Sequence, residues 1–150
     1  MRVVIQRVSR ASVSINNKIK SEIGRGLLVF TGIEESDNET DIDWLCNKIV
    51  HLRIFNDEND IMNCSVLDVK GSILVISQFT LYAMTRKGNR PSYIRAAHPD
   101  LAVPVYNNFL SRLSQLVNNE VKSGVFGAMM DIELVNDGPV TIIIDSKERE

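Results

Sequence analysis

Over residues 2–8 and 11–15 apolar and polar side chains alternate. Val4, Gln6 and Val8 fall on one spacing, and Val13 and Ile15 on the next. A period of two predicts strands with one face buried. Asn16-Asn17 suits the hairpin between them and a returning strand, Lys18 to Ile23, because Asn tolerates positive φ. Gly24-Arg25-Gly26 then breaks the pattern, and Leu27 to Ile33 is a near-continuous apolar run, expected as a buried strand. Gly24-x-Gly26 is no dinucleotide loop: the third glycine is missing and a strand follows instead of a helix.

From Thr40 to His51 the period changes. Trp44, Leu45, Lys48, Ile49 and Leu52 recur at spacings of three and four, which predicts an amphipathic helix laid on the sheet, with Ser36, Asp37 or Asn38 as its cap. Arg53-Ile54-Phe55 is expected as a short strand and residues 56–60 as a solvated turn. The turn lacks the glycine and terminal Glu of a calcium loop. Ser65 to Lys70 reads as a strand that joins the next one in a hairpin through Lys70-Gly71. That next strand, Ile73-Leu74-Val75-Ile76, is four aliphatics in a row, the mark of burial on both faces. It stops at Ser77-Gln78, with Thr80 and Tyr82 just beyond. This places an amide and hydroxyls at the carboxyl end of a sheet, where α/β sheets tend to hold ligands.

A second helix starts near His98-Pro99-Asp100, with Pro104 disturbing its first turns and Val105, Phe109, Leu113, Leu116 and Val117 as its stripe. Strands follow at Val121 to Val125, Met129 to Val135 and Val140 to Asp145. Between the last two lies Asn136-Asp137-Gly138-Pro139, a hairpin tip in its plainest reading, and a rigid corner because proline follows glycine. Lys147 to Glu150 reads as a frayed tail.

Composition narrows the class. At 150 residues, 44% hydrophobic and 24% charged, the chain suits one globular domain. Cys46 and Cys64 form no CxxC pair, as expected of reduced thiols, and no signal peptide or membrane span is visible, which points to the cytoplasm. The net charge of −2 gives no overall attraction to nucleic acid. The one local exception is the segment between Tyr82 and Arg95, where Arg86, Lys87, Arg90 and Arg95 cluster around Gly88-Asn89. Phosphate contact and a merely soluble loop fit it equally.

Several of these stretches together resemble the D-aminoacyl-tRNA deacylases. They are Met1-Arg2-Val3-Val4-Ile5-Gln6-Arg7-Val8, Ser77-Gln78-Phe79-Thr80-Leu81, Lys87-Gly88-Asn89-Arg90-Pro91-Ser92, Gly124-Val125-Phe126-Gly127-Ala128 and Asn136-Asp137-Gly138-Pro139-Val140-Thr141, in the family's order. The resemblance implies an enzyme that cleaves the ester between a D-amino acid and tRNA. It implies a homodimer with active sites at the subunit interface. Gly138-Pro139 would be a cis corner offered to the partner's pocket, where its carbonyls exclude L side chains. Glycine, with nothing to exclude, would pass. The resemblance further implies that Arg7 braces the corner, that Met130 and Asn136 belong to the selecting region, and that Ser77, Gln78, Phe79 and Thr80 form the catalytic segment. The partners it implies are aminoacyl-tRNA and a second copy of the chain, not DNA or a membrane.

The residue inventory leaves little conventional chemistry. His51 lies on a packing helix and His98 precedes a proline, so neither is placed to activate a hydroxyl such as Thr80. No His/Asp/Glu cluster has metal-ligand spacing, and neither metal nor cofactor is expected. Backbone N–H groups around Gln78-Phe79-Thr80 remain to hold an oxyanion, with the tRNA 2′-hydroxyl assisting water in the family's manner. The competing reading is a non-catalytic tRNA-binding dimer that uses residues 86–95. The expected fold is a single mixed α/β domain, with twisted, largely antiparallel, barrel-like sheet and two packing helices.

Overall fold

The computed structural model describes residues 1–149. Its centre is β1 (Arg2–Ile15), one 14-residue strand where two shorter ones were expected. β1 is antiparallel to β2 (Lys18–Ile23), β3 (Gly26–Gly32) and β8 (Asp131–Asp145). Register shifts at Gln6/Val8 and Val8/Arg10 bend β1, and an irregularity of this kind lets one strand serve a curved sheet without ending. β6 (Ser72–Ser77) and β7 (Val121–Ser123) complete the sheet in the order β2-β1-β3-β6-β7, with β8 on the other side of β1. Ser21 Oγ donates to Ser123 O at 2.8 Å, so β2 curls back toward β7 and the sheet is nearly closed.

Two differences from the expected fold stand out. β6 pairs parallel with both β3 and β7, so it makes no hairpin with residues 65–70. Those residues turn instead, because Asp68 Oδ2 accepts from both the backbone N–H and the hydroxyl of Ser65 at 2.7 Å. Gly26 makes the parallel pairing possible: a Cβ there would lie 1.9 Å from Ser72 O. The second difference is β8, which runs unbroken through the Gly138-Pro139 corner. β4 (Phe55–Asn56) and β5 (Met62–Cys64) form a separate small ribbon.

α1 (Glu39–His51) is capped by Asn38, with Asp41 reciprocating from the third helical position. Asp37, another candidate cap, is buried and binds the Met1 ammonium, with Ser146 Oγ as the amine's second partner at 2.7 Å. α2 (Pro99–Leu116) passes through Pro104, which is exposed and leaves one helical hydrogen bond unmade. Both helices cover one face of the sheet, over Val3, Ile5, Val29, Ile73 and Val75. Leu74 and Ile76 point the other way, into a second cluster with Val8, Val13 and Leu28, so β6 is buried on both faces as its sequence requires. The carboxyl end is tied down: Lys147 Nζ donates to Asp41 Oδ2 at 2.6 Å, and Arg149 stacks 4.3 Å from the centre of the Trp44 ring. The frayed tail expected there also included Glu150, which lies outside the described residues.

Candidate functional site

Ser77 ends β6, and the chain then tightens into one 3-10 turn, Phe79–Tyr82. A helical turn leaves its first N–H groups without internal partners. The Gln78 N–H is not among the free ones, since it donates to Thr31 O at 2.8 Å and so continues the β3–β6 ladder. The N–H groups of Phe79 and Thr80 have no hydrogen-bond partner among the described residues. Of the three backbone donors expected from the sequence, two are therefore available. The Gln78 side chain donates to Thr80 Oγ1 at 2.6 Å. Thr80 thus accepts from a neutral amide and has no base beside it. His51 bonds back to Asn47 O on its own helix, and His98 faces Asp100, both exposed. Burial pushes the Cys46 thiol up to about 12, far from a reactive thiolate.

The corner is built by side chains from β1 and from β8 itself. Gly138-Pro139 is a cis peptide, and Gly138 has φ +141, a region side chains avoid. A Cβ on Gly138 would lie 2.7 Å from Val140 Cγ2. Asn136 closes the corner, accepting from the Val140 N–H at 2.8 Å and donating to Thr141 Oγ1 at 3.2 Å. Arg7, only 7% exposed, holds it from below. Its Nε donates to Asp137 O at 2.9 Å and lies 3.3 Å from the Asp137 carboxylate. Its Nη1 donates to Ile54 O at 2.6 Å and to Asn56 Oδ1 at 3.1 Å. Met130 is half-buried over Gly124, where a Cβ would come within 2.4 Å of its sulfur, and its packing explains the glycine of the Gly124-Val125-Phe126 stretch.

Turn and corner do not meet within one chain. Ser77 pairs with Thr31, and Thr31 with Val3, whereas the corner lies between the Thr141↔Gln6 and Asn136↔Val8 pairs of β1. That is a displacement of four residues, about 13 Å along the strand, and three strands, roughly 14 Å, across the sheet.

The basic residues divide. Arg86, Lys87 and Arg90 are exposed in the 84–92 loop, which Met84 and Ser92 close by exchanging two backbone hydrogen bonds. Arg95 is exposed too, but it is paired, 3.3 Å from Glu34 Oε2 and 5.4 Å from the Tyr82 ring centre. Phe79 and Tyr93 meet edge to face at 5.0 Å, which joins the turn to this loop. Sequence reasoning missed Arg2: its Nη1 donates to Leu81 O at 3.0 Å, at the turn's exit. Among the described residues no cluster of three His, Cys, Asp or Glu could hold a metal, and no helix is long and apolar enough to cross a membrane.

Comparison with known proteins gives concordant matches. The family model described as D-Tyr-tRNA(Tyr) deacylase matches residues 4–145. Proteins named D-aminoacyl-tRNA deacylase from Bacteroides fragilis and Flavobacterium johnsoniae are 61% and 58% identical over 150 residues, covering all of both chains. A solved structure titled c-Myc DNA Unwinding Element Binding Protein superposes with a TM-score of 0.92 at 41% identity, over 97% of this chain and 98% of that one. A second, titled as a probable eukaryotic D-amino acid tRNA deacylase, shares the fold, with a TM-score of 0.80 at 20% identity over 95% of this chain and 97% of that one.

Proposed function

The chain belongs to the D-Tyr-tRNA(Tyr) deacylase family, and we propose on that premise that it hydrolyses the ester joining a D-amino acid to the 3′ end of tRNA. Water adds to the ester carbonyl, the carbonyl oxygen becomes an oxyanion, and collapse releases free D-amino acid and tRNA with its 3′-hydroxyl restored. The observation that carries this reading is the pair of unpaired N–H groups on Phe79 and Thr80, in a turn with no nucleophile–base pair beside it. Fixed donors aimed at developing charge suffice for an ester, which is already activated. The 2′-hydroxyl of the terminal adenosine relays the proton that water loses. Thr80 serves only as a hydrogen-bond partner of Gln78.

Selectivity comes from the corner of a second copy. The separation of turn and corner within one chain supports a homodimer in which each ester lies between the turn of one protomer and the Gly138-Pro139 corner of its partner. Corner carbonyls occupy the volume an L side chain would need. The D side chain points away, and glycine is hydrolysed as well. Arg7 and Asn136 hold the corner, and Met130 packs beneath the adjoining surface. Arg86, Lys87, Arg90 and Arg95 contact tRNA phosphates, Arg95 while also paired with Glu34. The reaction takes place in the cytoplasm.

The test is hydrolysis of matched D-, L- and glycyl-tRNA by purified protein stripped of metal. Release from the D and glycyl esters with the L ester spared is the expected result. Retention of tRNA with no release from any ester would replace this reading with a binding module.

A further inference from the structure

We infer that Arg2 is a positioning residue that fixes the exit of the Phe79–Tyr82 turn and so aims the turn's free N–H groups. This rests on the oxyanion reading above. The entry of the turn is already fixed, because the Gln78 N–H belongs to the β3–β6 ladder. The exit has no such ladder. Its own bonds are short-range and local, Leu81 N–H to Gln78 O at 3.2 Å and Ala83 N–H to Thr80 O at 3.0 Å. A 3-10 turn leaves its last carbonyls without internal partners. Arg2 Nη1 fills one of them, Leu81 O.

Arg2 can hold that carbonyl because it is itself held. Its Nε donates to Asp145 Oδ2 at 3.0 Å, and its Nη2 lies 2.9 Å from the same oxygen. Arg2 and Asp145 are paired residues of β1 and β8, so the clamp stands on sheet. The guanidinium carbon lies 5.0 Å from the centre of the ring of Tyr82, the last residue of the turn. Arg95 lies 5.4 Å from that ring and is anchored in turn on Glu34. Tyr82 is 1% exposed, and its hydroxyl has no partner among the described residues. The ring of Tyr82 thus serves as a stacking surface for two guanidinium groups. Beneath, Gly32 leaves room for the turn: a Cβ there would sit 3.1 Å from Leu81 Cβ and 3.2 Å from Tyr82 Cδ2. A planar cation with five donors can bond a carbonyl, pair with a carboxylate and stack on a ring at once; an ammonium cannot.

The experiment compares Arg2→Met, Arg2→Lys and Tyr82→Leu in the full chain, assayed well below each variant's melting temperature. Displacing catalytic groups by about 1 Å costs up to 10²-fold, so Arg2→Met should lower kcat for D-aminoacyl-tRNA by about 10- to 100-fold with KM within about twofold. Arg2→Lys should recover only part of the loss, and Tyr82→Leu should resemble Arg2→Met. Backbone amide NMR shifts of residues 78–83 supply a readout independent of turnover, and they should move in Arg2→Met. An unchanged kcat with unmoved shifts would overturn the inference, as would a raised KM at constant kcat, the mark of a direct tRNA contact. If the wild type itself released nothing while Arg2→Met still moved those shifts, the deacylase reading would fail and the clamp would stand.

Discussion

Replacing Phe79 by proline isolates the contribution of one backbone donor. Proline deletes the Phe79 N–H, one of two free donors in the turn. The position tolerates it: Phe79 is the first residue of the 3-10 turn, where proline's fixed φ is suited, and Gln78, at φ −144 and ψ 80, is outside the α region that a following proline disfavours. The substitution also removes a side chain that is 56% exposed and meets Tyr93 edge to face at 5.0 Å. Such a pair contributes about 0.5–1.5 kcal/mol, so Phe79→Ala is the matched control. Loss of one oxyanion donor costs about 2.7–4 kcal/mol of transition-state stabilisation, or about 10²–10³ in kcat. Single-turnover release of labelled D-amino acid from tRNA should therefore place Phe79→Pro about 10²–10³ below Phe79→Ala, with similar KM and melting temperature. A difference of less than about threefold would refute the backbone mechanism.

Thr80→Ala should keep kcat within about tenfold of the wild type, because the hydroxyl only accepts from Gln78; complete loss with an unchanged circular dichroism spectrum would make Thr80 the nucleophile. Arg7→Met leaves Ile54 O and Asp137 O without their charged donor while removing the cost of burying the guanidinium, a net loss of about 2–4 kcal/mol in urea unfolding. Its selectivity against L-aminoacyl-tRNA should fall at the same time, and a loss under about 1 kcal/mol with selectivity intact would contradict the brace. Burial works to raise the Asp41 carboxyl, but hydrogen bonds from Lys147, Ser146 and the Asn38 backbone prevail and hold it below its ordinary value. A depressed carboxylate contributes stability that is present above its unfolded value, about 3.9, and is lost as pH falls through the folded value. Lys147→Met should therefore reduce stability by about 1 kcal/mol at pH 7 and flatten its decline below about pH 4 in denaturant titrations; an unchanged acid limb would remove Lys147 from that role.

What could be read from the sequence depended on the range of the interaction. Four consecutive aliphatics announce a strand buried on both faces, and the spacing of Leu45 and Ile49 announces α1, because each pattern is local. The partners of β6 are not local. Lys70-Gly71 looks like a hairpin, and only the close approach of Gly26 to Ser72 shows that the strand joins β3 in parallel. Asp137-Gly138 likewise reads as a turn between two strands, yet pairing with β1 on both sides carries β8 straight through it. At the site, the Ser77–Thr80 and Gly138-Pro139 segments were visible as motifs. The loss of the Gln78 N–H to Thr31 and the grip of Arg2 on Leu81 were not, since each joins residues more than 45 positions apart.

The proposed ester site lies between the turn of one protomer and the corner of its partner. A heterodimer carrying two different tags tests it directly. One chain bears Phe79→Pro, so its turn is disabled and its corner intact; the other bears Pro139→Gly, so its turn is intact and its corner opened. The Pro139→Gly homodimer is expected to hydrolyse both D- and L-aminoacyl-tRNA. In the heterodimer the working turn is expected to face the intact corner of the other chain, so the D ester should be hydrolysed and the L ester spared. Hydrolysis of the L ester at half the rate of the Pro139→Gly homodimer would place turn and corner in the same chain and contradict the account.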